Sequence, residues 1–173
     1  LKELEATGGV TKAIETAAED AMTEAGLKDD PVARREALRG IFVPRLARVD
    51  AATKAVERRV ARLADAPLQL QPLIGAFVNK RLLVVKGEAR DATIEVAHEG
   101  LLRRWPSLKD VLENDLGALL LLDGVLRAAH EWHAAADQNK IEFLVHRGTR
   151  LHYARQLSAR GADWAKEVAV AAD

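Results

Sequence analysis

Apolar positions along this chain recur mostly at helical spacing. Val10, Ile14, Ala18, Met22 and Ala25 fall three or four residues apart, which predicts a helix over Val10–Ala25 with Gly26 as its C-cap. Ahead of it, Leu1–Thr7 reads as the end of another helix, stopped by the Gly8-Gly9 pair. Asp30 before Pro31 predicts an N-cap and a first-turn proline, opening a helix through about Phe42 that Pro44 ends or kinks. Pro67 starts a further helix through Leu70, Leu73, Ile74, Phe77 and Val78, ending near Lys80-Arg81. Between them, Leu46–Asp50 and Arg58–Leu63 read as weak strands or irregular segments around a polar loop over Ala51–Glu57. Val60 and Leu63 are expected to face inward.

The pattern then shifts to a period of two. Leu82–Lys86 and Thr93–Ala97 are short strands, and Gly87–Asp91 is the hairpin loop between them. Three helices and a terminal hairpin make the ground plan of a winged helix. His98–Trp105 follows as a short helix halted by Pro106. Ser107 with Asp110 resembles a capping box that opens a long helix to about Ala136. Its inward positions are expected at Leu108, Val111, Leu112, Leu119, Leu122, Leu126, Ala129, His133 and Ala136. Two more helical segments follow, Glu142–Ser158 with a break near Gly148, and Gly161–Ala171. The fold class is mainly α with a small β-hairpin. Residues 1–9 end a preceding helical segment, 10–105 form a winged-helix domain, and 106–173 form a helical arm.

Composition narrows this only a little. With 173 residues, 49% hydrophobic and 30% charged, the chain fits one soluble domain or a small domain with a helical appendage. No apolar run approaches the roughly 20 residues of a membrane span. The longest candidate, Leu116–Val125, is interrupted by Gly117, Asp123 and Gly124. The chain has no cysteine, which excludes disulfides and thiolate zinc sites. The opening LKELEATGG lacks the basic start and apolar core of a signal peptide. The missing initiator Met points to a piece of something longer, and a cytoplasmic location away from membranes is the expectation.

Charge sums to zero but is unevenly spread. Residues 1–30 carry three basic and eight acidic side chains, whereas residues 31–62 carry nine basic and three acidic ones. The basic block holds Arg34, Arg35, Arg39, Arg45, Arg48, Arg58, Arg59 and Arg62. It suits nucleic-acid phosphates, an acidic face of a partner domain, or a solvated surface balanced by the acidic helix before it.

Candidate chemistry is sparse. The phosphate-binding spacing GxxxxGK followed by Ser or Thr is absent, so the chain by itself is not expected to hydrolyse a nucleotide or to act as an enzyme. His130, Glu131 and His133 give HEWH, one residue short of the zinc-protease HExxH, and no metal site is expected. His146 and His152 are the other histidines such a site could recruit. Ser107 and Ser158 are the only serines, and Ser107 is better explained as a cap. Trp105, Trp132, Trp164 and Tyr153 could stack on bases, but each falls in an apolar helical context that predicts packing. His98 differs. At a strand-to-helix junction, beside unpaired N–H groups and a partial positive charge, it is placed for an anion such as a phosphate. Partial burial at the element edge is expected, and a structural histidine bonded to backbone is the ordinary alternative.

The run VAHEGLLRRWPSLKDVLEND, Val96–Asp115, resembles the signature block of bacterial STAND-class signalling NTPases, commonly written VAHEALLRRWPRL…WLEED. Softer similarity extends through LEATGGVTKAIETAAEDA, LRGIFVPRLARVD, RRVARLADAP, VNKRLLVV, EWHAA and HRGTRL. The resemblance implies a winged helix and helical arm lying between a nucleotide-binding core and C-terminal sensor repeats, of WD or TPR type. It also implies that ADP or ATP with magnesium binds the parent protein, with no cofactor held by this chain alone. In the STAND and NB-ARC class an MHD-type histidine contacts the β-phosphate of ADP and locks the closed form. Ala97-His98-Glu99 stands at the corresponding junction, with Ala for the Met and Glu for the Asp. His98 is therefore expected to contact the ADP phosphate, and Glu99 to orient His98 or accept from first-turn N–H groups. Partners are expected to be intramolecular, with a homo-oligomer open.

Two rival readings come from other classes. A DNA-binding winged helix would use Pro67–Arg81 for recognition and Lys86–Asp91 as a wing. That helix offers Gln69, Gln71, Asn79, Lys80 and Arg81, the last three bunched at its end. The wing mixes Lys86 and Arg90 with Glu88 and Asp91, a poor probe of a polyanion that argues against nucleic acid. A helical scaffold would instead use Leu108–Asp173 to form a homodimer.

Overall fold

The computed structural model describes residues 2–88, 91–145 and 147–170. Its backbone is mainly helical with small antiparallel sheets. The order is α1 (Lys2–Glu24), α2 (Pro31–Phe42), β1 (Ala47–Val49), β2 (Val56–Arg58), β3 (Ala61–Arg62), α3 (Gln71–Asn79), β4 (Leu83–Lys86) and β5 (Thr93–Val96). There follow α4 (Gly100–Arg104), α5 (Pro106–Ala134), α6 (Thr149–Ser158) and α7 (Ala162–Val170). These fall into two compact units, unit 1 of residues 1–48 and 56–114, and unit 2 of residues 49–55 and 115–173.

Where local chemistry is strong, the predicted ends hold. Asp30 Oδ1 accepts from the N–H groups of Val32 and Ala33 at 3.0 and 2.9 Å, capping α2 ahead of Pro31. Gly26, at φ 76°, closes α1. Its N–H reaches Thr23 O and that of Leu27 reaches Met22 O, the paired bonds of a Schellman cap.

Several boundaries move. Helix α1 runs without a break through Gly8-Gly9, so no separate segment ends there. Each glycine costs only about 1 kcal/mol, and helix on both sides carries the turn through. At Pro67 the chain makes a 3-10 turn over Leu68–Leu70, and α3 opens only at Gln71-Pro72. Helix α5 begins at Pro106, and the N–H of Lys109 bonds the carbonyl of Trp105. Ser107 is thus inside the first turn and caps nothing, because proline at N1 claims the start. The helix ends at Ala134, two residues before the predicted Ala136, and a 3-10 stretch over Asp137–Phe143 follows. Gly148, at φ 54°, marks the break before α6. The end of the last predicted helix, at Ala171, lies outside the described residues.

In unit 1, Met22 of α1, Leu38, Ile41 and Phe42 of α2, Phe77 of α3, Ile94 of β5 and Leu102 of α4 meet as a buried core. Phe42, Phe77 and Trp105 stack edge to face through it, each neighbouring pair with centroids 5.9 Å apart. Strand β5 lies between β3 and β4, antiparallel to both, with Ala61 and Val85 opposite Ile94. The predicted hairpin therefore gains a third, two-residue strand; Ala89 and Arg90 of its loop lie outside the described residues. Val60 does not face inward but is exposed. Strands β1 and β2 form a separate pair.

Unit 2 buries Leu119, Leu122, Ala154, Leu157 and Trp164, with Val49. His133 and Ala136, predicted inward, are exposed, and Leu126 and Ala129 are half-buried. Arg160 lies over the Trp164 ring at 5.1 Å and donates to the buried Asp115 carboxylate at 3.0 Å.

Candidate functional site

At the β5–α4 junction the chain leaves the sheet after Val96, the N–H of Ala97 bonding the carbonyl of Leu82. The turn then spends its own donors. The N–H of Gly100 donates to Nδ1 of His98 at 3.0 Å, and that of Leu101 to the His98 carbonyl at 3.0 Å. The N–H groups of Leu102 and Arg103 both reach the Glu99 carbonyl, at 3.0 and 3.2 Å. This overturns the expectation of an open, anion-binding helix N-terminus. The helix is five residues long, and its first-turn donors are already satisfied.

The two predicted site residues are placed differently from expectation. His98 is exposed rather than partly buried. Glu99 makes no side-chain cap; its carboxylate pairs with Arg103 one turn along at 3.0 Å. It neither accepts first-turn N–H groups nor orients the imidazole. That task falls to the Gly100 backbone, which the sequence did not single out.

An open groove of about 440 Å³ lies here, lined by Val10, Ile14, His98, Glu99, Gly100, Arg103 and Arg104. Arg104 Nη1 donates to Thr11 Oγ1 at 2.7 Å, tying α4 to α1 across 93 residues of sequence. An imidazole whose Nδ1 accepts a hydrogen bond carries its neutral-form proton on Nε2, and guanidinium groups only donate. Among the described residues, the lining thus combines imidazole and guanidinium donors with the carboxylate of Glu99. Such a set is suited to an oxyanion.

A second constellation braces this junction from behind. Glu19 of α1 accepts from Arg34 Nη2 at 2.6 Å, from Trp105 Nε1 at 2.9 Å and from Ser107 Oγ at 3.5 Å. Partial burial pushes the Glu19 carboxyl up, but the Arg34 and Trp105 hydrogen bonds, the Arg34 charge and Ser107 outweigh it. The carboxyl is held below the ordinary glutamate range. Nothing in the apolar periodicity singles out Glu19, since its partners lie 15, 86 and 88 residues away.

The basic block does not present one uniform patch. Arg34 serves Glu19, and the buried Arg45 donates to the carbonyls of Gly40 and Asp65. Arg48 clasps Glu57 at 2.7 Å, and Arg59 reaches the Pro44 carbonyl. Among the residues of the DNA-reading alternative, Lys80 pairs with Glu24 and Lys86 with Glu95.

His130, Glu131 and His133 are all exposed, and His146 lies outside the described residues. Among the described residues, no three or more His, Asp or Glu side chains gather as a metal site. His152 meets Gln156 at 2.9 Å. Trp105 and Trp164 are core residues as predicted, whereas Trp132 is half-buried under Lys140 and Tyr153 is exposed. No helix among the described residues is long and apolar enough to cross a membrane.

A family model described as Novel STAND NTPase 1 matches residues 1–140. No curated protein and no solved structure matches the chain.

Proposed function

The chain belongs to the novel STAND NTPase 1 family, and from that premise we propose that it is a regulatory, non-catalytic portion of a signalling NTPase. In this reading residues 10–105 are a winged helix that closes over ADP held by a P-loop core in the parent protein. Residues 106–173 are an arm that relays the state of sensor repeats. The β3–β5–β4 sheet, whose β3 lies between α2 and α3 and whose β4–β5 hairpin follows α3, supports the winged-helix assignment.

One observation carries the nucleotide role: His98 is exposed beside Arg103 and Arg104, with Nδ1 already engaged by Gly100 and the remaining ring nitrogen available to a ligand. His98 contacts the ADP phosphate in the closed form, and the arginines supply positive potential around it. Glu99 keeps the local charge in balance through Arg103 rather than touching the nucleotide. A hydrogen bond to a charged group is worth about 1.5–3 kcal/mol, enough to bias a two-state switch roughly tenfold to a hundredfold.

The decisive measurement is ADP retention by the intact parent protein carrying His98→Ala. Loss of retention by about tenfold or more, with activation at lower sensor occupancy, is expected. Unchanged retention and activation would remove His98 from the switch. Sedimentation of the 173-residue chain with random duplex DNA tests the DNA reader; salt-sensitive binding at micromolar concentration would favour it over the lid.

A further inference from the structure

The phosphate contact just proposed leaves open whether His98 acts as a charge or as a hydrogen-bond donor, and the turn itself bears on this. The geometry points to the Gly100 N–H as the group that fixes both the tautomer and the direction of His98, committing the ring as a neutral donor that offers Nε2–H to an oxyanion. A backbone N–H can only donate, so Nδ1, 3.0 Å away, must be an unprotonated acceptor. A proton on Nδ1 would set two donors against each other and break this bond. In this tautomer His98 needs no charge to reach the ligand through Nε2–H, and Arg103 and Arg104 line the same groove.

The fit around Gly100 is close enough to hold the ring. A Cβ built at Gly100 would lie 3.0 Å from Nδ1 and 3.1 Å from Ile14 Cδ1. A side chain at Gly100 would therefore press on both the imidazole and Ile14 of α1, and the bare glycine lets the ring sit against its main chain. Gly100 is a positioning residue acting through its main chain.

The inference rests on the nucleotide reading for the identity of the oxyanion only. Its first test needs no nucleotide. Long-range proton–nitrogen correlation on the 173-residue chain with labelled histidine, above the range where histidines titrate, is expected to find His98 with a bare Nδ1 and a protonated Nε2. The His98 signals are assigned by their loss in His98→Asn. An Nδ1-protonated ring, or an even mixture of tautomers, overturns the proposal.

Two substitutions then separate the ring's two ends. Asparagine places its amide oxygen where Nδ1 accepts, and glutamine places its amide N–H near the reach of Nε2. His98→Asn should keep the wild-type unfolding midpoint yet lose ADP retention in the parent by about tenfold or more. His98→Gln should retain ADP better than His98→Asn while losing stability like His98→Ala. If His98→Asn is as unstable as His98→Ala, the capping role of Nδ1 is wrong. If the tautomer and stability results hold while no variant changes ADP retention, the nucleotide reading fails and the positioning by Gly100 stands.

Discussion

Units 1 and 2 are both helix-rich, but among the bonds described their longest polar ties differ in reach, spanning 93 residues in unit 1 and 45 in unit 2. In unit 1, Glu19 joins α1 to α2 and to the α4–α5 corner, and Arg104 joins α4 back to Thr11. A buried aromatic stack, Phe42–Phe77–Trp105, stands beside that network. Unit 2 has Asp115 with Arg160 and the stacked pair Arg160–Trp164, while its other ties include close-range ones such as Lys140–Asp137 and Gln156–His152. Ties between distant segments hold a turn such as His98–Glu99 in one place relative to a groove. Ties within one or two turns stabilise the helices that make them. The candidate site lies in the unit built the first way.

Trp105→Ala offers the largest blow to the contrast. It removes a side chain only 1% exposed, its edge-to-face contact with Phe77, and the N–H that Glu19 accepts. A loss of about 3–5 kcal/mol from unit 1 is expected by urea unfolding. Amide exchange resolves where it falls; equal loss of protection across unit 2 would show that the two regions do not unfold separately.

Asp115→Ala should cost less, about 1–3 kcal/mol, and should fall on unit 2. The carboxylate is buried, but its partner Arg160 keeps a third of its side chain in solvent and can rehydrate. Thermal unfolding followed at Trp164 reads this directly. A cost matching that of Trp105→Ala would erase the distinction drawn here.

The smallest effect is expected from Glu19→Gln, which can keep an acceptor for Trp105 and Ser107 but removes the charge facing Arg34. The Arg34 pair is partly exposed, so the loss near neutral pH is about 0.2–1 kcal/mol. The sharper readout is pH. A carboxyl held below its ordinary value contributes stability that is present above the unfolded glutamate value of about 4.3. That contribution disappears as pH falls through the lower folded value. Glu19→Gln should flatten that part of the acid-stability curve, and an unchanged curve would strip Glu19 of its role.

Legibility followed the range of the interactions. The Asp30-Pro31 cap and the Gly26 stop were readable because donor, acceptor and backbone conformation all lie within five residues. The hairpin Leu83–Lys86 with Thr93–Val96 announced itself through alternation. Ser107 was misread because a short capping pattern competes with Pro106 at N1, and only the helix register decides between them. Gly8-Gly9 was misread because a local propensity of about 1 kcal/mol per glycine was set against the cooperativity of a 23-residue helix. At the site, the sequence named His98 and its junction but missed Gly100, whose contribution is a backbone N–H, and assigned to Glu99 a bond that Nδ1 makes instead.

By itself, then, the sequence determined the mainly helical class, the Asp30 and Gly26 caps, the hairpin and the family, because these depend on spacing and on residue types within a few turns. Tertiary structure alone decided that α1 returns beside α4 to line the groove, that Glu19 meets Trp105, and that much of the basic block is occupied internally. It also decided that His98 faces solvent with one nitrogen committed. Those outcomes depend on which distant segments pack together. A charge or a ring nitrogen acquires its role from the partner that packing brings to it, and one-dimensional spacing carries no record of that partner.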